Sequence, residues 1–199
     1  MDNSGFFAPM VLPGDYTVKL KVGEKEYTSP LKLVHDPLRK DFTLADRNLQ
    51  YKTAMDIYSL HEQLAKVVDD INTKQKMLKG GLDSTNDKKA KIYLQEYYDK
   101  LESLRGELLG TKQKSIFADE ERLRERISEV YQAVALQEAA PSNLQVQRVT
   151  VLQQEVNKAQ QNNETLTKTY YAKAKEALDK NAAIKKELQP KLKKDEIKK

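Results

Sequence analysis

His35 and His61 are the two side chains of this chain best suited to hold a metal or move protons near neutral pH. His35 stands at the end of a predicted strand, just before Asp36. His61 falls beside Leu60 at the edge of a predicted helix stripe. A catalytic or metal site would need further ligands or bases at matching spacing, and neither histidine has them. Adjacent carboxylates occur at Asp69-Asp70, Asp119-Glu120-Glu121 and Asp195-Glu196. Neighbouring positions on a helix do not face each other, so these runs read as solvated faces or helix N-terminal charges rather than an acid/base pair. Cysteine is absent, which excludes disulfides, thiolate metal sites and cysteine nucleophiles. No G-x-S-x-G, G-x-G-x-x-G or H-E-x-x-H pattern occurs, and Gly80-Gly81 is not followed by the G-K-[ST] of a phosphate loop. No catalytic residue, cofactor or metal ligand is assigned.

Tyrosine and lysine remain. Tyr93, Tyr97 and Tyr98 fall in one predicted helix, and Tyr170 and Tyr171 in another. Aromatics interleaved with lysine can stack on bases, but the helical spacing favours packing. The formal charge is +5, and residues 185–199 carry seven lysines against three acids. The body is therefore close to neutral, unlike a phosphate-binding face. Lys191, Lys193, Lys194, Lys198 and Lys199 form a basic tail read as frayed beyond Pro190. Contact of that tail with nucleic acid or an anionic membrane is the alternative function for the chain. No apolar run approaches the length of a membrane-spanning helix, and the first residues lack the pattern of a signal peptide.

The elements that position these residues begin with residues 11–37, VLPGDYTVKLKVGEKEYTSPLKLVHDP. Tyr16, Val18, Leu20 and Val22 alternate with Thr17, Lys19 and Lys21, the period of a strand. Gly23-Glu24-Lys25 reads as a turn. The return strand, residues 26–34, carries Tyr27, Leu31 and Leu33 on one side. Pro30 cannot donate to a ladder, so that strand needs a free edge. The seven apolar residues named here are the candidate interaction face.

Everything after residue 42 has helical period. The first helix opens at Thr43 with Asp46 as a capping box, carries Ala54, Ile57, Leu60, Leu64, Val67, Val68, Ile71 and Leu78 on one stripe, and is expected to stop at Gly80-Gly81. A second is predicted over 87–109, with Ala90, Leu94, Tyr97, Leu101, Leu104 and Leu108 inward. A connector over 111–116 precedes a third over 118–138, with Leu123, Ile127, Val130, Tyr131 and Val134 inward. The fourth opens with Ser142 and Gln145 and runs to Pro190 on the stripe Val149, Leu152, Val156, Ala159, Asn163, Leu166, Tyr170, Ala177, Ile184 and Leu188. Asn163 either fixes register within that seam or sits at its rim. Short loops predict antiparallel neighbours, with the second and third helices together equal to one long helix with a break. The expected fold is mainly α: an antiparallel bundle of three to four long helices with an N-terminal β-hairpin. The expected division is 1–37, 38–189 and a disordered tail over 190–199.

The hairpin resembles the P-G-x-Y-x-V-x-L-x-V…G-x-x-Y-x-x-P-L…D-P segment near the C-terminus of exported bacterial sortilin-like, BNR-repeat β-propeller proteins, often labelled glycosyl hydrolases. LADRNLQYKTAMDIYSLHEQLAKVVDDIN, with Asp46 and Gln50, resembles that family's first long helix. KQKSIFADEERLRERISEVYQAVA before Pro141-Ser142, and LQVQRVTVLQQEVNKAQQ, resemble its later helices. The resemblance implies that the hairpin is the end of an immunoglobulin-like β unit whose other strands, and a propeller, lie upstream in a longer exported chain. It implies a non-catalytic accessory module whose partners are those upstream parts, with a further protein partner or a second copy also open. No catalytic residue of that family has a position here to receive it.

Overall fold

A computed structural model describes residues 8–110 and 121–196, with side chains as far as Lys180. The predicted connector and the carboxylates Asp119 and Glu120 lie outside the described residues. So do Lys198 and Lys199, and the side chains of Ile184, Leu188, Lys191, Lys193 and Lys194. The chain is mainly helical with an N-terminal hairpin, as its two periodicities require. Strands β1 (Gly14–Val22) and β2 (Lys25–Leu33) precede helices α1 (Leu44–Ser84), α2 (Lys88–Leu108), α3 (Leu123–Ala135) and α4 (Asn143–Glu196).

β1 and β2 pair antiparallel, with Val22 opposite Lys25 and Gly14 opposite Leu33. The turn is thus the two residues Gly23 and Glu24, one fewer than expected, and Lys25 belongs to β2. Gly23 has φ +61°, and it alone among the described residues has a positive φ. A positive φ at only the first central position is the type II′ turn, whose twist suits a tight hairpin and whose first position favours glycine.

Both predicted capping boxes form. The Thr43 N–H donates to Asp46 Oδ2 at 2.9 Å, and the Asp46 N–H donates to Thr43 Oγ1 at 3.2 Å. At α4 the Ser142 N–H donates to Gln145 Oε1 at 2.8 Å, and the Gln145 N–H returns to Ser142 Oγ at 3.2 Å. α2 starts at Asp87, whose carboxylate accepts from the Lys89 N–H at 2.8 Å.

Three helix limits differ from expectation. α1 continues through Gly80 and Gly81 to Ser84. Gly81 is a packing residue, because a β-carbon there would lie 2.1 Å from Leu178 Cδ2 and 3.2 Å from Leu94 Cδ1. α3 is shorter at both described ends, Glu121 and Arg122 not being helical. Its C-terminal side is drawn out of the helix by side chains from elsewhere: Gln50 takes the carbonyls of Val134 and Gln137, and Arg39 takes that of Glu138. α4 passes Pro190 and reaches Glu196. Proline costs an interior helix about 3 kcal/mol by losing one backbone bond and crowding one carbonyl, yet its fixed φ is itself helical.

The chain forms two compact units. The first comprises residues 1–61 and 127–153, and the second 62–126 and 154–199. In the first, α1 runs antiparallel to α3: the carbonyls of Val134 and, just past the helix, Gln137 lie at Gln50, while Tyr131 meets His61 edge-on at 6.2 Å. Phe42, Ala54, Ile57, Leu60, Ile127, Val134 and Leu152 are buried there. In the second, Gln75 bonds Glu102 and Asn72 bonds Arg105, an antiparallel match of α1 with α2. Asp70 bonds Asn163 and Lys74 bonds Thr167, four residues on in each helix, so α1 and α4 run parallel there. Its core holds Leu64, Val67, Ile71, Leu78, Leu94, Tyr97, Leu101, Leu104, Leu108, Val156, Ala159 and Ala174. α3 in the first unit and α2 in the second each serve as the third, reversed helix.

Candidate interaction surface

The hairpin register places Tyr16, Val18, Leu20 and Val22 opposite Leu31, Ser29, Tyr27 and Lys25. Side chains directly opposite share a face, so all seven predicted residues, with Leu33 opposite Gly14, occupy one face of the sheet. The face is open. Tyr16, Val18, Leu20, Val22, Tyr27 and Leu31 are between 36% and 59% exposed, and Leu33 is half-buried. Asp15, Thr17, Lys19 and Lys21 with Glu26, Thr28 and Lys32 make the other face, where Lys19 and Glu26 pair at 2.6 Å. Among the described residues no third strand pairs with the hairpin, so its edges are open as well.

Exposed apolar surface is concentrated in one unit. Of the twenty large apolar side chains exposed among the described residues, eighteen belong to the first unit; Ile92 and Tyr171 belong to the second.

The base of the hairpin is held firmly. His35 Nε2 lies 2.5 Å from the Phe42 carbonyl oxygen. A carbonyl only accepts, so that nitrogen carries the proton, and the bond closes the segment between β2 and α1. Arg39 pairs with Asp41 at 3.0 Å and with Glu138 at 2.5 Å. The Asp41 bond raises the Arg39 guanidinium and lowers the Asp41 carboxyl from their ordinary values. Phe42 is buried, and the Arg47 guanidinium stands 6.0 Å from its ring. A hollow of about 240 Å³ lies here, lined by Leu33, His35, Arg39, Phe42, Arg47 and Glu138 among others. His35 is therefore a structural residue of the hairpin base.

The second unit carries a buried polar cluster that the apolar stripe reading passed over. Lys74 is 8% exposed. It occupies the α1 stripe between Ile71 and Leu78, and its ammonium donates to Asp70 and, at 2.6 Å, to Thr167 Oγ1. Asn163 Nδ2 donates to Asp70 Oδ2 at 2.6 Å. Asn163 is thus a buried, bonded member of the α1–α4 seam, which decides between the two readings left open for it. A shallow groove of about 480 Å³ lies over the cluster. Asp70 and Lys74 pair with each other and with α4, so the cluster fixes how α1 meets α4.

Tyr93, Tyr97 and Tyr170 pack together, as their spacing suggests, while Tyr171 is exposed. Tyr97 is fully buried and stacks on Tyr170 at 5.2 Å, and Tyr93 lies 5.6 Å from the same ring. Tyr170 donates to Glu96 at 2.7 Å, which raises its phenol above the ordinary value. Burial raises that of Tyr97. No group of three or more His, Asp or Glu side chains able to hold a metal occurs among the described residues. No described helix is long and apolar enough to cross a membrane.

Comparisons with family models, with curated proteins and with solved structures return no match for this chain.

Proposed function

We propose that this chain is a non-catalytic protein-contact module in which the hairpin face is the contact element. The observation that carries the reading is one continuous apolar sheet face, Tyr16, Val18, Leu20, Val22, Tyr27, Leu31 and Leu33, standing open on a two-stranded sheet. A hairpin of this size is marginal in water without a third strand or a covering layer, and apolar patches of this kind mark contact sites. The occupant is the apolar face of a second β layer. The resemblance to the C-terminal region of exported propeller proteins supports taking that layer as the upstream part of an immunoglobulin-like unit in the same polypeptide. The helices then serve as an accessory region that positions this unit.

The test is the mass and location of the native polypeptide in fractionated source cells, by immunoblot and mass spectrometry. A product several-fold larger than 22.8 kDa in the envelope or exported fraction supports the reading. A soluble product of 22.8 kDa removes the upstream layer and with it the proposed occupant. Hydrolysis of aryl glycosides by this chain alone overturns the non-catalytic part.

A further inference from the structure

The two edges of the hairpin are unequal. A two-residue turn makes its flanking residues, Val22 and Lys25, a hydrogen-bonded pair, and paired positions then alternate along an antiparallel ladder. By the register, Leu20–Tyr27, Val18–Ser29, Tyr16–Leu31 and Gly14–Leu33 are bonded pairs. Lys21–Glu26, Lys19–Thr28, Thr17–Pro30 and Asp15–Lys32 are the unbonded ones, whose backbone groups point outward. Pro30 therefore costs the β1–β2 ladder nothing. It instead removes a donor from the middle of the outer row of β2, a device that blunts an edge. The outer row of β1, at Asp15, Thr17, Lys19 and Lys21, is complete. All four residues are exposed.

The sequence of β1 also matches itself in reverse. Antiparallel pairing of two copies centred on Val18 sets Asp15 opposite Lys21 at both ends and Thr17 opposite Lys19. On the other face Tyr16 meets Leu20, and Val18 meets Val18. The outward-pointing residues become the bonded pairs, as the ladder requires. Opposite charges directly across a strand pair stabilise it, and like charges do the reverse. A two-fold contact of this kind is self-complementary and closes.

We propose that the outer edge of β1 is a dimerisation site whose occupant is β1 of a second copy of this chain. The product is a four-stranded sheet in the order β2, β1, partner β1, partner β2. This rests on reading the hairpin as the contact element and names a second partner for it. It places the two apolar faces side by side as one larger surface, and it supplies the strands that a lone hairpin lacks.

The test is the mass of the whole 199-residue chain in solution by sedimentation and light scattering, over a concentration series. Twice 22.8 kDa is expected. Thr17→Pro removes one outward donor from β1 without touching the β1–β2 ladder and should return the monomer. Asp15→Lys should raise the dimer Kd by about tenfold or more. Adding Lys21→Asp to that variant should restore it, because the charge pairs are then exchanged rather than broken. Pro30→Val should leave the dimer and add larger species through the second edge. A wild-type monomer at all concentrations overturns the proposal, as does a dimer indifferent to Thr17→Pro and to the charge exchange. Neither result touches the apolar face, since Tyr27→Lys alters that face on β2 and leaves the β1 edge intact.

Discussion

Gly81 and Leu178 meet so closely that a β-carbon on Gly81 would lie 2.1 Å from Leu178 Cδ2, with Leu178 Cγ at 3.5 Å behind it and Leu94 Cδ1 at 3.2 Å. Gly80, its neighbour, has nothing within 4 Å of the same position. One glycine of the pair is there for packing and the other is not. Gly80→Ala should stabilise the chain by about 0.5–1 kcal/mol, the helix-interior advantage of alanine. Gly81→Ala gains the same propensity but must displace Leu178, and should destabilise by about 1 kcal/mol net. Thermal unfolding of the two variants checks the contrast; equal stabilisation by both would mean that Leu178 moves freely.

Among the described residues the buried Tyr97 hydroxyl meets no partner in good hydrogen-bond geometry, with the Thr167 hydroxyl beside it. The neighbouring Thr167 hydroxyl already accepts from Lys74 and donates to the Asn163 carbonyl. An orphaned buried hydroxyl costs about 1–3 kcal/mol. Tyr97→Phe keeps the ring stacked on Tyr170 and removes that cost, so stability should rise by about 1 kcal/mol. A loss of similar size in denaturant unfolding would show that the hydroxyl is bonded.

Gln50 is 3% exposed, and its amide donates to the Val134 carbonyl at 2.8 Å and to the Gln137 carbonyl. It also accepts from Arg47 at 2.7 Å. Gln50→Ala should cost about 1–3 kcal/mol by leaving the end of α3 unsatisfied. Gln50→Glu should cost at least as much at neutral pH, because a carboxylate has no N–H to give. Slower amide exchange loss around residues 135–140 in wild type than in either variant is the local readout.

Val18→Lys and Leu20→Lys alter exposed side chains. Each should change the unfolding of the helices by less than about 0.5 kcal/mol. The same substitutions should weaken assembly of the chain with the proposed upstream β layer. A large drop in helical stability would mean that the face packs within the chain.

The Thr43 hydroxyl and backbone N–H hold the Asp46 carboxyl below its ordinary 3.8. The folded state therefore binds that proton less readily than the unfolded chain. The stabilisation from this cap is complete above the ordinary value and is lost as pH falls through it to the folded value. Thr43→Val should lower stability most above the ordinary carboxyl value and less as pH falls below it, the loss of the Oγ1 acceptor for the Asp46 N–H remaining at every pH. A carboxyl titration of Asp46 by NMR, shifted upward in the variant, is the direct check.

The elements were legible because each carries its own period and punctuation. Tyr16 to Val22 alternate, Ala54 to Leu78 step by three and four, and the boxes Thr43/Asp46 and Ser142/Gln145 close as written. The hairpin face could be named in advance because period two leaves only one partition of those side chains. Asp46 could be named in advance as the partner of Thr43, whereas the role of Gln50, which meets the end of α3 from 84 residues away, could not.

What local pattern could not supply was whatever depends on a distant neighbour. Gly81 and Gly80 are identical as residues, and only Leu178, some hundred positions on, separates packing from permissiveness. Lys74 looks like a fault in an apolar stripe until Asp70, Asn163 and Thr167 surround it. Ala174 is buried, yet the spacing was read past it to Ala177. The end of α3 is set by Gln50 and Arg39, because free carbonyls at a helix terminus go to whichever donors the fold brings there. By itself the sequence determined the helices, the hairpin and their apolar faces, since those follow from local geometry and the cost of leaving apolar surface in water. Only the tertiary structure decided which helix termini were drawn open, which glycine was a contact and which polar groups could be buried in pairs.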